Sequence, residues 1–588
     1  MLELLMGNEA VALGAIAAGV RVVSGYPGTP STEVLETIAK RNPGFVHVEW
    51  SVNEKAGLEV AAGAAYAGAR SLVTMKQVGL NVASDPLMCV NYIGVKGGMV
   101  VYVADDPGPI SSQTEQDTRH FGRYARIPVF DCSSPEEAFA MTMEAFDFSE
   151  KEGVPVILRS TTRVCHSCAS VDVPELKAPE RAPGFEKDPR WVIFPRLSFE
   201  SKKRLFAAEK TYAETFSGYG RNEIIGGGRI GIACGGVSFA YVMDAIRGHE
   251  EDYTVFKVAT PYPFPAEKAA SFLAGVENVY VFEELDPVIE DALTMLRPAV
   301  PLFGKRDGTV PAAGELSADI VGSILGTAKA APPFNEDAPF LPPRPPVLCA
   351  GCPHRASFYA VKQAMKGKKA IFCGDIGCYT LGNAAPLDMV DTCLCMGAGI
   401  TVAQGLYHAG EEGQTFAFVG DSTFFASGIT GVINAVYNKA DLILVVLDNH
   451  TTAMTGHQPH PGLGITVMNE PTQVIDIASV LKGCGVASVR TADPFDRAAA
   501  EDAVKAAAAE EGVRAIIFRS PCVALEKGGT PLAVDAETCV GCGKCIRQLG
   551  CPALRKNGEK TAIDPALCVG CGLCQSVCPK GCIGKEEQ

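Results

Sequence analysis

The chain has 588 residues, too many for one hydrophobic core, and domain-size priors divide it into three to five units. Its 47% hydrophobic and 7% aromatic content fits a globular α/β protein rich in Ala, Val and Gly. A net charge of −15 with no evident basic face argues against a nucleic-acid partner. The apolar N-terminus, MLELLMGNEAVALGAIAAGVRVVSGYPG, carries Glu3, no early positive charge and no small-residue cleavage site. It is read as a first helix leading into a buried strand, Val22-Val23-Ser24. No run of about eighteen apolar residues occurs, so no membrane span is expected.

Over residues 1–175, short β-branched runs (SLVTM, GMVVYVA, PVILRS) alternate with Ala-rich helical stretches, the pattern of a parallel sheet covered on both faces. Residues 176–227 are charged with few periodic signals and are expected to form a linker or surface excursion. A second α/β unit, 228–330, has strands near GRIGIAC, TVFKVA and VYVFEEL, and the proline-rich segment 331–346 is a connector. A third α/β unit, 347–527, has strands near QTFAFVG, LILVVLDN and RAIIFRS. A Gly-Gly break at 528–529 then leads into a tail, 530–588.

In the third unit, a strand runs into Gly420-Asp421-Ser422, and a later strand runs into Asp448-Asn449-His450-Thr451. A magnesium ion bridging a diphosphate takes oxygen ligands, few of them from protein. Asp421 offers a carboxylate, Asn449 an amide oxygen and Thr451 its backbone carbonyl, while the helix start after GDS offers N–H groups to phosphate. Alone, a Gly-Asp pair after a strand is an ordinary turn; the Asp-Asn pair at the next strand end makes diphosphate binding the better reading.

The tail carries two cysteine runs, Cys539, Cys542, Cys545, Cys551 and Cys568, Cys571, Cys574, Cys578, each ending Cys-Pro. Three thiolates two residues apart wrap three corners of an iron–sulfur cube, and the distal Cys-Pro thiolate ligates the neighbouring cube. Cys539, Cys542, Cys545 and Cys578 are therefore expected to hold one [4Fe–4S] cluster, and Cys551, Cys568, Cys571 and Cys574 the other. The first run has five residues rather than three before its distal cysteine, a longer loop that still permits ligation. A zinc ribbon, the alternative, needs two CxxC pairs and makes no use of the distal Cys-Pro. Nine of the 22 cysteines lie in the last fifty residues, and ferredoxin spacing implies reduced thiolates in a cytoplasmic, anaerobic setting.

With these motifs in hand, the chain resembles the thiamine diphosphate enzymes, with Ser422 and Asp448 as departures from their GDG and NN signature. More closely it resembles the 2-oxoacid:ferredoxin oxidoreductases. Over its whole length, domain order and fused tail included, it is similar to the large subunits of their indolepyruvate branch. The motifs are YPGTPSTE, NEKAGLEVAAGAAYAGAR, KQVGLNV, CAGCPH, GDIGCYT, MGAGI, GDSTFF and TGHQPHPG. The resemblance implies two doubly wound parallel-sheet modules binding the pyrimidine and the diphosphate, a transketolase C-terminal-like α/β domain, and a bicluster ferredoxin domain.

It further implies that Glu54 hydrogen-bonds the cofactor's pyrimidine, with Glu59 as fallback; a glutamate in so Ala- and Gly-rich a run is expected to be buried and to need a partner. Thr29 matches a position that touches substrate or cofactor, with helix capping as its alternative role. Lys76 is suggested to touch substrate, and Gly420, Ser422 and His354 to line the cofactor or substrate. A third [4Fe–4S] cluster near the thiamine is implied for Cys349, Cys352, Cys378 and Cys522. Cys165, Cys168, Cys373, Cys393, Cys395 and Cys582 are left as non-ligands. The implied reaction is oxidative decarboxylation of arylpyruvates (indolepyruvate, phenylpyruvate) with CoA, yielding an aryl-acetyl-CoA and reduced ferredoxin. A small subunit in an α2β2 assembly and a magnesium ion complete the expectation. Pyruvate or branched-chain oxoacids are the alternative substrates, and an electron-carrier scaffold without thiamine is the alternative of another class; Asp421 and Asn449 are both retained, against that last reading.

Overall fold

A computed structural model describes residues 1–176, 178, 184–328, 344–526 and 528–585. The chain divides into two compact units, Met1–Ala338 and Pro339–Gln588. The connector expected at 331–346 lies, up to residue 343, outside the described residues.

In the first unit, six parallel strands stand in the order His47–Trp50, Val22–Gly25, Ser71–Lys76, Met99–Asp105, Val156–Thr161, Val129–Asp131. The central strands are buried along their length, as their unbroken β-branched runs require when helices cover both faces. A second sheet orders Leu302–Phe303, Asn278–Phe282, Ile230–Gly235, Tyr253–Val258 and Glu223–Gly226, with only the last antiparallel. A buried ion pair ties it to the first, Arg119 reaching Glu283 at 2.8 Å while also paired with Asp117; within the first sheet Arg159 spans Asp105 and Asp131.

Two expectations are corrected here. The chain opens on a strand, Leu2–Met6, before its first helix, Gly7–Ala17, because the strand finds an antiparallel partner in Cys168–Asp172. Within 176–227, expected as a linker or surface excursion, residues Pro195–Ser217 form a 23-residue helix and Glu223–Gly226 a strand of the second sheet. The helix buries Ser201, Leu205, Tyr212 and Phe216, one stripe at helical spacing beneath a charged face.

In the second unit, five parallel strands stand in the order Ala370–Cys373, Gln414–Gly420, Leu442–Asp448, Val513–Arg519, Ser488–Ala492. Ligands of such sheets bind beyond the carboxyl ends of the strands. The tail folds as two short helices, Lys544–Leu549 and Leu573–Val577, a hairpin of Leu554–Asn557 with Lys560–Ile563, and an antiparallel pair of Leu532–Val534 with Ile583–Lys585. Its cysteines other than the exposed Cys542 and Cys571 sit in one apolar core with Leu549, Leu573 and Val577. The fold is thus α/β, with two doubly wound parallel-sheet modules, a further α/β module and a small cysteine-rich C-terminal domain.

Candidate functional site

In the first unit, Glu54 opens the helix Glu54–Tyr66, whose N-cap Asn53 accepts the Ala56 N–H at 2.9 Å. Glu54 is buried, at 8% exposure, and burial pushes its carboxyl pKa up, opposed by its own backbone N–H and the Lys76 charge. A Cβ on Gly79 would stand 2.7 Å from Glu54 Cγ and Oε1, so the next helix meets this carboxyl through bare backbone. Glu59, the fallback, is exposed and paired with Lys55.

Lys76 ends the strand Ser71–Lys76 with its stem against Gly28 of YPGTP, and its Nζ donates to the Ser111 carbonyl at 3.4 Å. Burial holds the Lys76 pKa down, while Asp106 and Glu54 act in the opposite direction. The Thr29 carbonyl accepts from Ser111 Oγ at 3.3 Å, which brings Thr29 and Lys76 to the same loop. Thr29 is not a cap: the helix Thr32–Lys40 takes Ser31 at that position.

In the second unit, Gly420 and Leu447 are paired across adjacent parallel strands, which puts Asp421 and Asn449 side by side beyond the strand ends. The Asn449 amide oxygen faces two acceptors, Asp421 Oδ2 at 3.3 Å and the Thr451 carbonyl at 3.0 Å. Three oxygens converging without a proton between them suit a hard cation; with the amide turned over, its N–H groups would bridge the same two oxygens. Asp421 Oδ1 accepts from the Ser422 N–H at 2.8 Å.

His460 Nδ1 accepts the Gly462 N–H at 3.2 Å, and its Nε2 stands 3.1 Å from Asp421 Oδ2. His354 is buried edge-on to Tyr379, and burial pushes its pKa down to about 4. The Tyr379 hydroxyl donates to Asp375 Oδ2 at 2.9 Å, and Asp375 Oδ1 accepts the Ile376 and Gly397 N–H groups, both at 2.7 Å. Burial pushes the Asp375 pKa up to about 6. A Cβ on Gly420 would fall 2.6 Å from Tyr379 Cε1, so this ring explains the glycine before Asp421. His460, Tyr379 and Asp375 were not singled out from sequence; only the PH of TGHQPHPG and the GDIGCYT run carried a signal.

The cysteines form three groups. Cys352 caps the helix Pro353–Ala364, Cys378 begins a 3₁₀ turn, and the Cys522 N–H donates to the Asn449 carbonyl at 2.9 Å. Burial pushes Cys352 up to about 12 and Cys378 up to about 11; the Cys349 thiol adds to both, and Cys522 adds to Cys378. Four positions spread over the sequence thus act on one another.

Cys551, Cys568, Cys571 and Cys574 line a single cavity, whose wall also includes Cys352 and Arg355. Cys539, Cys542, Cys545 and Cys578 line another, with Cys582 as a fifth thiol 3.3 Å from the Cys578 sulfur. Every cysteine is a free thiol. Cys165 is buried against the Tyr102 hydroxyl, while Cys168, Cys393 and Cys395 are exposed.

Residues 13–209 match the family described as pyruvate flavodoxin/ferredoxin oxidoreductase, thiamine diP-binding. Residues 375–518 match the thiamine pyrophosphate enzyme C-terminal TPP-binding domain, and 532–580 the 4Fe–4S dicluster domain. The chain is 42% identical over 603 residues to the indolepyruvate oxidoreductase subunit IorA of Methanothermobacter thermautotrophicus, covering 99% of this chain and 97% of that protein. Identity to the IorA subunit of Archaeoglobus fulgidus is 39%, over 92% of this chain and 91% of the relative. Among solved structures, a 2-oxoglutarate:ferredoxin oxidoreductase from Magnetococcus marinus aligns at 19% identity and a TM-score of 0.46, over 55% of this chain and 65% of that one. Among the described residues, no helix is long and apolar enough to cross a membrane.

Proposed function

Because the chain belongs to the indolepyruvate oxidoreductase IorA family, thiamine diphosphate-dependent 2-oxoacid:ferredoxin oxidoreductases that pass electrons through iron–sulfur clusters, we propose that its substrates are arylpyruvates, indolepyruvate and phenylpyruvate. CoA takes the acyl group and ferredoxin the electrons. The observation that carries the substrate is the likeness to IorA subunits along nearly the whole chain. A small partner subunit in an α2β2 assembly belongs to the same reading.

The oxygens of Asp421, Asn449 and Thr451 would hold Mg²⁺ for the diphosphate, while the Ser422 N–H holds the other carboxylate oxygen of Asp421 in place. His460, 3.1 Å from Asp421 Oδ2, packs beside the same carboxylate oxygen. Once bound, thiamine diphosphate supplies the electron sink that lets a 2-oxoacid lose carbon dioxide. Glu54, buried with its carboxyl pKa raised by desolvation against the pull of Lys76, is suited to hydrogen-bond a ring nitrogen of the pyrimidine. Lys76, beside Thr29, offers a cation to the substrate carboxylate. His354, buried on the Asp421 side of Tyr379, stays neutral near pH 7 and closes the site to water.

Cys349, Cys352, Cys378 and Cys522 would hold the cluster nearest the cofactor. Cys352 also lines the cavity of Cys551, Cys568, Cys571 and Cys574, so two successive cluster sites share a wall. The cavity of Cys539, Cys542, Cys545 and Cys578 reaches exposed Lys580 and Val540, which suits it to hand electrons to a carrier.

Anaerobic purification with iron, sulfide and thiamine assays, then rates with indolepyruvate, phenylpyruvate and pyruvate in the presence of CoA and ferredoxin, tests this. Fastest turnover with an arylpyruvate is expected. Pyruvate as the best substrate would overturn the aryl assignment, and clusters without thiamine would return the chain to an electron-carrier scaffold.

A further inference from the structure

Arg355 lies in the first turn of the helix Pro353–Ala364, three residues after Cys352, and is 4% exposed. Its guanidinium donates to the Leu348 and Leu549 carbonyls and, at 3.4 Å, to that of Cys349, while Nε has no partner. Among the described residues no carboxylate pairs with it. A guanidinium stays charged at every working pH, and a charge this deeply buried is expected to have a counter-charge. Carbonyl dipoles alone do not supply one.

The ionisable groups that act on it are the thiols of Cys551, Cys352, Cys349 and Cys571. They belong to two groups: Cys349 and Cys352 to the one nearest the cofactor, Cys551 and Cys571 to the inner cavity of the tail, whose wall Arg355 itself forms. An iron–sulfur cube on four thiolates is a net anion, and its potential depends on net charge and on the groups around its sulfurs. The cavity of Cys539, Cys542, Cys545 and Cys578 has no such cation: its Lys580 is exposed to water.

We propose that Arg355 is the shared counter-ion of the two [4Fe–4S] clusters held by Cys349, Cys352, Cys378 and Cys522 and by Cys551, Cys568, Cys571 and Cys574. This rests on the cluster assignment above. No bond or proton changes hands. An electron from the oxoacid enters the buried cluster, and the fixed positive charge offsets the added negative charge there and again at the next cluster. Each therefore reduces more easily than it would without the arginine, and the electron passes between them without leaving the field of the same cation. Arg355 is a positioning residue for charge, not a catalytic one. A purely structural role, tying the last carbonyl of the helix Lys544–Leu549 to the CAGCPH segment, is the alternative.

Arg355→Gln and Arg355→Lys holoenzymes, purified without oxygen, separate the two. Iron and sulfide are counted, and each cluster's midpoint potential is followed by EPR during a reductive titration. In the Gln variant two potentials are expected to fall and the third to stay, and reduction of the tail clusters in a single turnover with oxoacid and CoA to slow several-fold. The Lys variant, which keeps the charge but loses the fork, should hold all three near wild type. Unchanged potentials in the Gln variant, or an equal fall in Gln and Lys, overturn the proposal. If the Gln variant loses its iron, the Lys variant decides alone: lowered potentials there overturn it, and preserved ones support it. Wild-type protein short of one cube's iron would instead overturn the cluster assignment beneath it.

Discussion

Glu54 and Glu59 share one helix, yet only Glu54 faces inward, where burial raises its pKa. Glu54→Gln is expected to lower turnover by orders of magnitude with iron content unchanged, whereas Glu59→Gln should turn over as wild type; steady-state rates and an iron assay on both variants check this. A second carboxyl gives a pH-dependent outcome. Burial pushes Glu284 up to about 7, although it accepts the Leu316 N–H at 3.0 Å. A raised folded-state pKa means the folded chain binds the extra proton, so this contribution is full below the ordinary glutamate value of 4.5 and is lost as pH rises through about 7. Glu284→Gln keeps the acceptor and removes the titration, so its thermal midpoint should fall less than wild type's between pH 5 and pH 8. At this scale the sequence named the chemistry but not its surroundings. Arg355, His460 and Tyr379 carry no spacing that sets them apart from ordinary charged or aromatic residues, because their roles come from neighbours distant in the chain.

At the scale of elements, the helix Gln77–Val82 approaches Glu54 through Gly79. Gly79→Ala forces the carboxyl aside, so it should cost turnover nearly as much as Glu54→Gln; rates beside a thermal melt distinguish displacement from unfolding. Ser134 caps the helix Pro135–Glu152 by accepting the Glu137 N–H at 3.3 Å. Ser134→Ala should destabilise the first unit by about 1 kcal/mol in chemical denaturation, leaving cluster content intact. The parallel strands were legible because β-branched runs buried on both faces have no other comfortable home. The helix Pro195–Ser217 was missed since its apolar stripe is only four residues deep in a charged sequence. The strand Leu2–Met6 was missed because its residues favour helix and its partner lies at the far end of the first module.

For the whole molecule, the three proposed cube sites would hold about twelve irons per chain. Cys522→Ser should lose about four of them while bound thiamine persists, measured as iron and thiamine per chain; unchanged iron would remove the cluster nearest the cofactor. The tail's iron–sulfur class was readable from its spacing, since a cube would draw three ligands from within seven residues and a fourth from the sister run. The diphosphate site was readable almost as well, because parallel strands end at one edge and the turns there are short. Sequence alone thus determined the architecture and the cofactor class, and it named candidate donor atoms. Only the tertiary structure decided which glutamate is dry, which fifth thiol joins the outer cavity, and where a buried guanidinium meets two sets of cysteines. The physical reason is that donor identity is covalent and local, whereas desolvation and charge balance depend on what the rest of the fold packs around each group.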